Sequence, residues 1–303
     1  MLQDLATEAA KVGLQLHMGK TKVIGNVRRR RGVSARSKIE VAGQEVEVLP
    51  FEGELDYLGR VLTLGDHYHD AELKNRMARA WKKFYANQQQ LCDKHYRLKD
   101  RLRLFDAVVT ATALYGSGCW TMTAARGAKL RSTQRKMLRK VLGLRRRKAA
   151  ARGERGEEDS ASASEESGEG AEEGGDEADE EEEDGDEDNG ESWIEWMRRT
   201  TGVMRDCANQ GKVSDWVTEQ RRREWRWAGH VARRTDGRWT TWMLDWQPPG
   251  GFRAPGRPVA RWEDAIVSFM QGRGRWTAVA QDRDCWSGLE DEFSGGSADL
   301  VVA

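Results

Sequence analysis

Cysteine, proline and long apolar runs are all scarce in this chain of 303 residues. Its four cysteines, Cys92, Cys119, Cys207 and Cys285, lie far apart with no Cys-x-x-Cys pair. That spacing excludes a disulfide scaffold and a zinc ribbon and fits a reducing compartment. Cys92 and His95, with His67 and His69, lack the second cysteine pair and the spacing of a zinc finger, so no metal site is expected. No GxxxxGK[ST] loop is present to cradle phosphates. The opening residues carry Asp4 and Glu8 where a secretion signal needs an apolar run. One uncharged stretch, residues 107–125, is long enough to span a bilayer, but its threonines, Ser117, Gly116 and Gly118 make it too polar to insert. The expectation is an intracellular protein with no membrane association.

Charge is plentiful and unevenly placed. The 50 basic and 50 acidic side chains cancel only as a total. Residues 1–153 carry 32 basic and 14 acidic groups, a net of +18. Residues 154–191 hold one Arg and 21 acids, a net of −20, and residues 192–303 come to +2. A polycationic block and a polyanionic run in one chain are expected to have different partners. Residues 151–191 also lack every aromatic, Leu, Ile and Val. Such a composition cannot bury enough apolar surface to offset chain entropy, so a disordered acidic linker is predicted there. Eleven of the 13 tryptophans follow it, between Trp193 and Trp286.

Periodicity divides the rest. Leu2, Leu5, Ala9 and Val12 predict a helix over 2–13. Leu14 and Leu16, then Val23 and Ile24, predict strand, turn, strand, and residues 28–36 a basic loop. Short strand-like runs around Val46, Val48 and Leu49, then Leu55 to Leu62, are broken by Pro50, Gly53, Gly59 and Gly65. Three amphipathic helices follow, with stripes Leu73/Met77/Trp81/Phe84/Leu91, Leu98/Leu102/Phe105/Val109 and Leu130/Met137/Leu138/Val141. Further helical stripes include Trp193/Met197/Met204, Trp262/Ile266/Phe269 and Trp286/Leu289/Phe293, with a Pro- and Gly-rich loop at 248–258. The predicted fold class is α+β, mainly α. It comprises a small β-hairpin region (1–66), a helical bundle (67–150), the disordered acidic linker (151–191), a Trp/Arg-rich helical region (192–294) and a tail (295–303).

GLQLHMGKTKVI (13–24), LDYLGRVL (55–62), ELKNRMARAWKKF (72–84), LKDRLRLFDAVVTATALYGSGCW (98–120) and QRKMLRKVLG (134–143) together resemble non-LTR, LINE-type retrotransposon reverse transcriptases. The matched part is the end of the palm and the helical thumb. RRREWRWAGHVARRTDGRW (221–239), GRPVARWEDAI (256–266) and AQDRDCWSGLEDEF (280–293) resemble the carboxyl-terminal region of such reading frames. The complete family enzyme is an RNA-directed DNA polymerase that holds paired Mg²⁺ on palm carboxylates, including a Tyr-x-Asp-Asp hairpin. This chain has no adjacent Asp-Asp pair anywhere. The resemblance therefore implies no catalytic residue and no cofactor here, and an RNA/DNA template-primer as the partner.

The resemblance also nominates residues. Lys20 matches a lysine near the incoming nucleotide's phosphates; as a bare sequence feature it is a solvated turn lysine. Tyr57, Leu58 and Gly59 match the primer-grip turn, or are simply a hairpin. Lys74, Arg76, Arg79, Lys82, Lys83, Arg101, Arg103, Arg135, Lys136, Arg139, Lys140 and Arg145–Arg147 would lie on or flank thumb helices that track a duplex backbone. Arg226 and Trp227 would stack and neutralise unpaired nucleotides, although most tryptophans here fall on core stripes. His230 reads as a hydrogen-bonded structural histidine. The alternative is a non-enzymatic, chromatin-associated interaction protein, in which residues 154–191 engage a basic protein partner. Either reading places the chain in the nucleus. A third use for the acidic run is to compete for the basic block it is tethered to.

Overall fold

A computed structural model describes residues 2–15, 17–24, 37–41, 44–64, 67–147, 191–211, 213–237, 240, 242, 244 and 260–295. The predicted basic loop at 28–36, the acidic linker short of Glu191, the loop at 248–258 and the tail beyond Gly295 lie outside them. The fold is mainly α with a few small strands, as the periodicity predicts. The chain divides into two compact units. Unit 1 comprises Met1–Arg79, Thr112–Leu130 and Trp216–Ala303; unit 2 comprises Ala80–Ala111 and Arg131–Asp215.

Unit 1 begins with helix α1 (Leu2–Lys11), ended by Gly13 at φ +76°. Its apolar stripe is not buried: Leu5 and Val12 face solvent. The predicted strand at Leu14 does not form. The His17 carbonyl accepts bonds from the amides of Lys20 and Thr21, at 2.9 and 3.0 Å, and winds Met18–Lys20 into a 3-10 turn. Strand β1 is only Val23–Ile24. It pairs parallel to β3 (Gln44–Leu49), which pairs antiparallel to β2 (Ser37–Val41) in the order β1-β3-β2. Strand β2 escapes the sequence reading although Ile39 and Val41 alternate. A second hairpin joins β4 (Leu55–Tyr57) and β5 (Arg60–Leu62), with Tyr57 opposite Arg60.

Helix α2 (Tyr68–Ala86) contributes to both units, as does α6 (Ala124–Leu142). The remainder of unit 1 is helical: α8 (Trp216–Ala232), α9 (Asp264–Phe269), α10 (Trp276–Val279), α11 (Arg283–Gly288) and α12 (Glu290–Gly295). Asp282 starts α11 by accepting the amides of Asp284 and Cys285 at 3.0 Å, satisfying donors that the first helical turn leaves free. The core here is aromatic: Trp225, Trp276, Trp286 and Phe293, filled in by Ala228, Ile266, Met270 and Ala280.

Unit 2 contains α3 (Gln88–Cys92), α4 (Leu98–Leu104) and α7 (Trp193–Gly211). After α4 the chain widens into one π-helical stretch, Phe105–Thr110, before α5 (Ala111–Ala113). The stripe Leu102, Phe105 and Val109 stays buried through that change of pitch. Phe84, Leu91, Met137, Leu138, Val141 and Met204 supply the other apolar interior. Two arginines that the resemblance assigns to outer helix faces lie inside instead. Arg101 donates to the Val141 carbonyl at 2.7 Å and reaches the Leu91 carbonyl at 3.4 Å, tying α3 and α6 to α4. The second, Arg139, belongs to the charged face described below.

Candidate nucleic-acid interface

The β4–β5 hairpin turns on two residues in left-handed conformation, Leu58 at φ +50° and Gly59 at φ +77°. Gly takes this shape freely; for Leu it is strained, and Asn or Asp normally occupies the first position of such a turn. The strained side chain gains nothing by burial. Leu58 is 74% exposed and its neighbour Tyr57 58% exposed. An apolar tip held against its own preference is the kind of feature that function, not folding, maintains.

What lies beneath the tip is rigid. Arg76 of α2 donates to the Gly59 carbonyl, and the Tyr115 hydroxyl reaches the Leu58 carbonyl at 3.4 Å. Glu72, buried, accepts the Val61 amide at 2.8 Å and lies 3.4 Å from both Arg60 and Arg76. Burial lowers the Arg76 pKa, opposed by the Glu72 carboxylate. Arg79 reaches Asp56 at 3.3 Å, so it serves as a strut under the hairpin as well as a surface cation. The Arg76 guanidinium also lies over the Tyr115 ring at 5.2 Å. The sequence nominates the turn, and Arg76 as an outward cation of a thumb-like helix; that placement is corrected, since Arg76 is 3% exposed beneath the turn. It does not nominate Arg60, Glu72 or Tyr115, which also fix the turn. The Glu72–Arg76 spacing of four on a helix is the signal that could have found part of this set.

Of the other nominated residues in unit 1, Lys74 is exposed on α2. Lys20 is exposed on the 3-10 turn, and its ammonium has no ion-pair partner among the described residues. Arg226 is committed internally: it makes a two-pronged pair with Glu290 of α12 at 2.9 and 2.5 Å. Its neighbours do the same, Arg222 with Asp291 and Arg273 with Glu292. Three successive acids of α12 thus hold arginines, the nominated Arg226 among them. Trp227 is half-buried with its Cβ against Gly118, where a methyl group would fall 3.2 Å away. His230 is exposed rather than structural, accepting from the Arg234 guanidinium at 2.9 Å.

Positive charge collects in unit 2. Its described residues include 18 Lys and Arg against 7 Asp and Glu, a net of +11, whereas those of unit 1 balance at 20 and 20. Lys82, Lys83, Arg135, Lys136 and Lys140 are all exposed. Arg139 is the exception, and its outward placement is corrected: it is 9% exposed, under the Trp196 ring at 4.8 Å. Its guanidinium donates to Thr200 Oγ1 at 3.3 Å and to Met197 Sδ at 3.0 Å. Helix α7 covers that face of α6, and burial pulls the Arg139 pKa down.

The junction with the acidic run is ordered at both ends. The amide of Glu191 donates to the Arg147 carbonyl at 3.2 Å, and the Glu191 carboxylate accepts the Arg147 amide at 3.2 Å. Arg199 grips the same carboxylate at 2.6 and 2.7 Å and holds its pKa down at about 2.

Among the described residues no three His, Cys, Asp or Glu side chains converge as a metal site would require. No described helix is long and apolar enough to cross a membrane.

Comparison with known proteins gives one informative likeness. Over 294 residues, 94% of this chain and 86% of the other, the sequence is 28% identical to a Caenorhabditis elegans protein named as transposon-derived. The similarity points to a transposon origin. No protein-family model matches the chain, and no solved structure matches it.

Proposed function

We propose that this chain is a fragment or remnant of a non-LTR retrotransposon reverse transcriptase, which keeps elements that bind an RNA/DNA template-primer and lacks the metal-binding aspartates of polymerisation. The observation that carries the reading is the concentration of exposed charge in unit 2: Lys82, Lys83, Arg135, Lys136 and Lys140 belong to a unit of net +11. Cationic side chains on helices bind phosphates without reading sequence and release counterions as they do so. The strained, solvent-facing Leu58 supplies a second contact, an apolar tip suited to a sugar or base edge at a strand terminus. The absence of an Asp-Asp pair from the sequence removes the ligands that two-metal phosphoryl transfer needs. The likeness to a transposon-derived protein supports this ancestry.

The test is binding of the full chain to a blunt RNA–DNA duplex across a salt series. Affinity should fall steeply with salt. Replacing Arg135, Lys136 and Lys140 together by Ala should reduce the slope of log K against log salt by about 3, at roughly one per phosphate neutralised. Arg139 is left in place, because its loss would disturb the fold. Weak binding with a shallow slope, unaffected by the triple substitution, would sink the reading. Capture of histones that depends on residues 154–191 would favour the chromatin-associated alternative instead.

A further inference from the structure

We propose that Trp81 and Tyr85 form a stacking platform for an unpaired nucleotide, with Lys82 and Lys83 taking its phosphates. The sequence assigns Trp81 to a core stripe. The structure places it only half-buried, with the Tyr85 ring stacked on it at 5.5 Å and 23° between the planes. Tyr85 is 53% exposed, so the stack reaches solvent at this residue. Phe84, fully buried, meets both rings edge-on, at 5.6 and 5.8 Å, and anchors the pair from the interior. Offset aromatic pairs of this kind are rigid and expose a flat π-face.

Charge decides what that face suits. Lys82 and Lys83 are exposed on the same turn of α2, with no ion-pair partner among the described residues. No acidic residue occurs between Ala80 and Cys92. The surrounding unit is strongly cationic. An apolar protein partner would meet two uncompensated ammonium groups at the edge of the patch, at a desolvation cost. A polyanion with flat faces satisfies both features: a base continues the stack on Tyr85, and the flanking phosphates replace the lysines' counterions. Paired bases inside a duplex have no free face to offer, so the ligand is a single-stranded segment of RNA or DNA. The site extends the proposed duplex binding to an unpaired overhang, and rests on that reading only for its biological setting.

The experiment measures the full chain against fluorescent oligo-dT and oligo-rU, and separately against a blunt RNA–DNA duplex of equal length. Tyr85 is exposed enough to be changed without emptying a core. Tyr85→Ala should weaken single-strand binding about tenfold, the value of one base stack, and leave blunt-duplex affinity unchanged. Tyr85→Phe should bind as wild type, since the ring is kept. Lys82→Ala with Lys83→Ala should weaken binding to both ligands and lower both salt slopes. Equal affinity of wild type and Tyr85→Ala for the single strands overturns the proposal, as does a Tyr85→Ala loss of the same size on blunt duplex. Failure of the duplex reading appears differently, as a blunt duplex that does not bind at all.

Discussion

The indole N–H of Trp225 donates to the Trp286 carbonyl at 2.8 Å, and that of Trp286 returns the bond to the Trp225 carbonyl at 3.0 Å. The two rings lie 3.6 Å apart and 3° from parallel. Each buried polar group is satisfied by the other residue's backbone, so the pair closes on itself and leaves neither face for a nucleobase. Trp216, Trp225, Trp276 and Trp286 are buried and serve the core, whereas Trp193 and Trp242 face solvent.

Gly229 of α8 exposes how tightly that pair is seated. A methyl group there would fall 2.5 Å from Trp286 Nε1 and 2.6 Å from its Cδ1. Gly229→Ala should lower stability by about 2–3 kcal/mol, the usual range for overpacking a filled core. Gly202→Ala is the control: nothing lies within 4 Å of its added methyl on α7. It should raise stability by up to about 1 kcal/mol through helix propensity. Urea titrations of the two variants check both signs.

Leu58 separates folding from function. Asn tolerates the left-handed region, and the exposed Leu58 side chain takes no part in the core. Leu58→Asn should therefore stabilise the β4–β5 hairpin by about 1 kcal/mol. If the tip touches a primer strand, the same variant should bind the RNA–DNA duplex more weakly. A more stable protein that binds less well is the expected pair of results. A stabilised variant with unchanged affinity would make the tip a bare turn.

Glu224 couples stability to pH. It is buried, and desolvation pushes its pKa up to about 8, opposed by a hydrogen bond from Gln220 and the nearby Arg221. The ordinary value, 4.5, describes the unfolded chain. The folded state therefore holds a proton that the unfolded state gives up as pH rises. Stability should fall between about pH 4.5 and 8 and then level off, losing at most about 5 kcal/mol from this group. Glu224→Gln keeps the shape and the neutral charge, so it should flatten that decline and exceed wild type at pH 9. Urea midpoints at pH 5, 7 and 9 for both proteins test the difference.

A periodic pattern reports a face and says nothing of what covers it. Leu102, Phe105 and Val109 are legible because their stripe is continuous and ends up buried. Leu5 and Val12 show the same pattern and remain exposed. Arg139 misleads for a related reason. A cation on a helix looks the same in sequence whether it meets solvent, an indole or a carboxylate 64 residues away. The β4–β5 turn is legible through Gly59, which marks its own conformation. Tyr115, which supports it, approaches from a distant part of the chain and leaves no local signal.

The acidic run can be removed cleanly only if the cut respects its ends. Arg147 and Glu191 exchange hydrogen bonds, and Arg146 and Arg199 add bonds to Glu191. A deletion that takes Glu191 would break this closure and confuse loss of fold with loss of charge. Residues 148–190 should instead be replaced by a short Gly/Ser link between the paired ends. Closing a shorter loop loses less chain entropy, so stability should stay level or rise by up to roughly 2 kcal/mol. The deleted segment carries 20 acids against 3 basic residues. Its removal takes away a tethered polyanion that would compete at high local concentration for a unit of net +11. Affinity for an RNA–DNA duplex should therefore tighten at low salt, and the difference from the full chain should fade as salt screens both proteins. Equal affinity at low salt, with the fold intact, would show that the acidic run does not contest the nucleic-acid face.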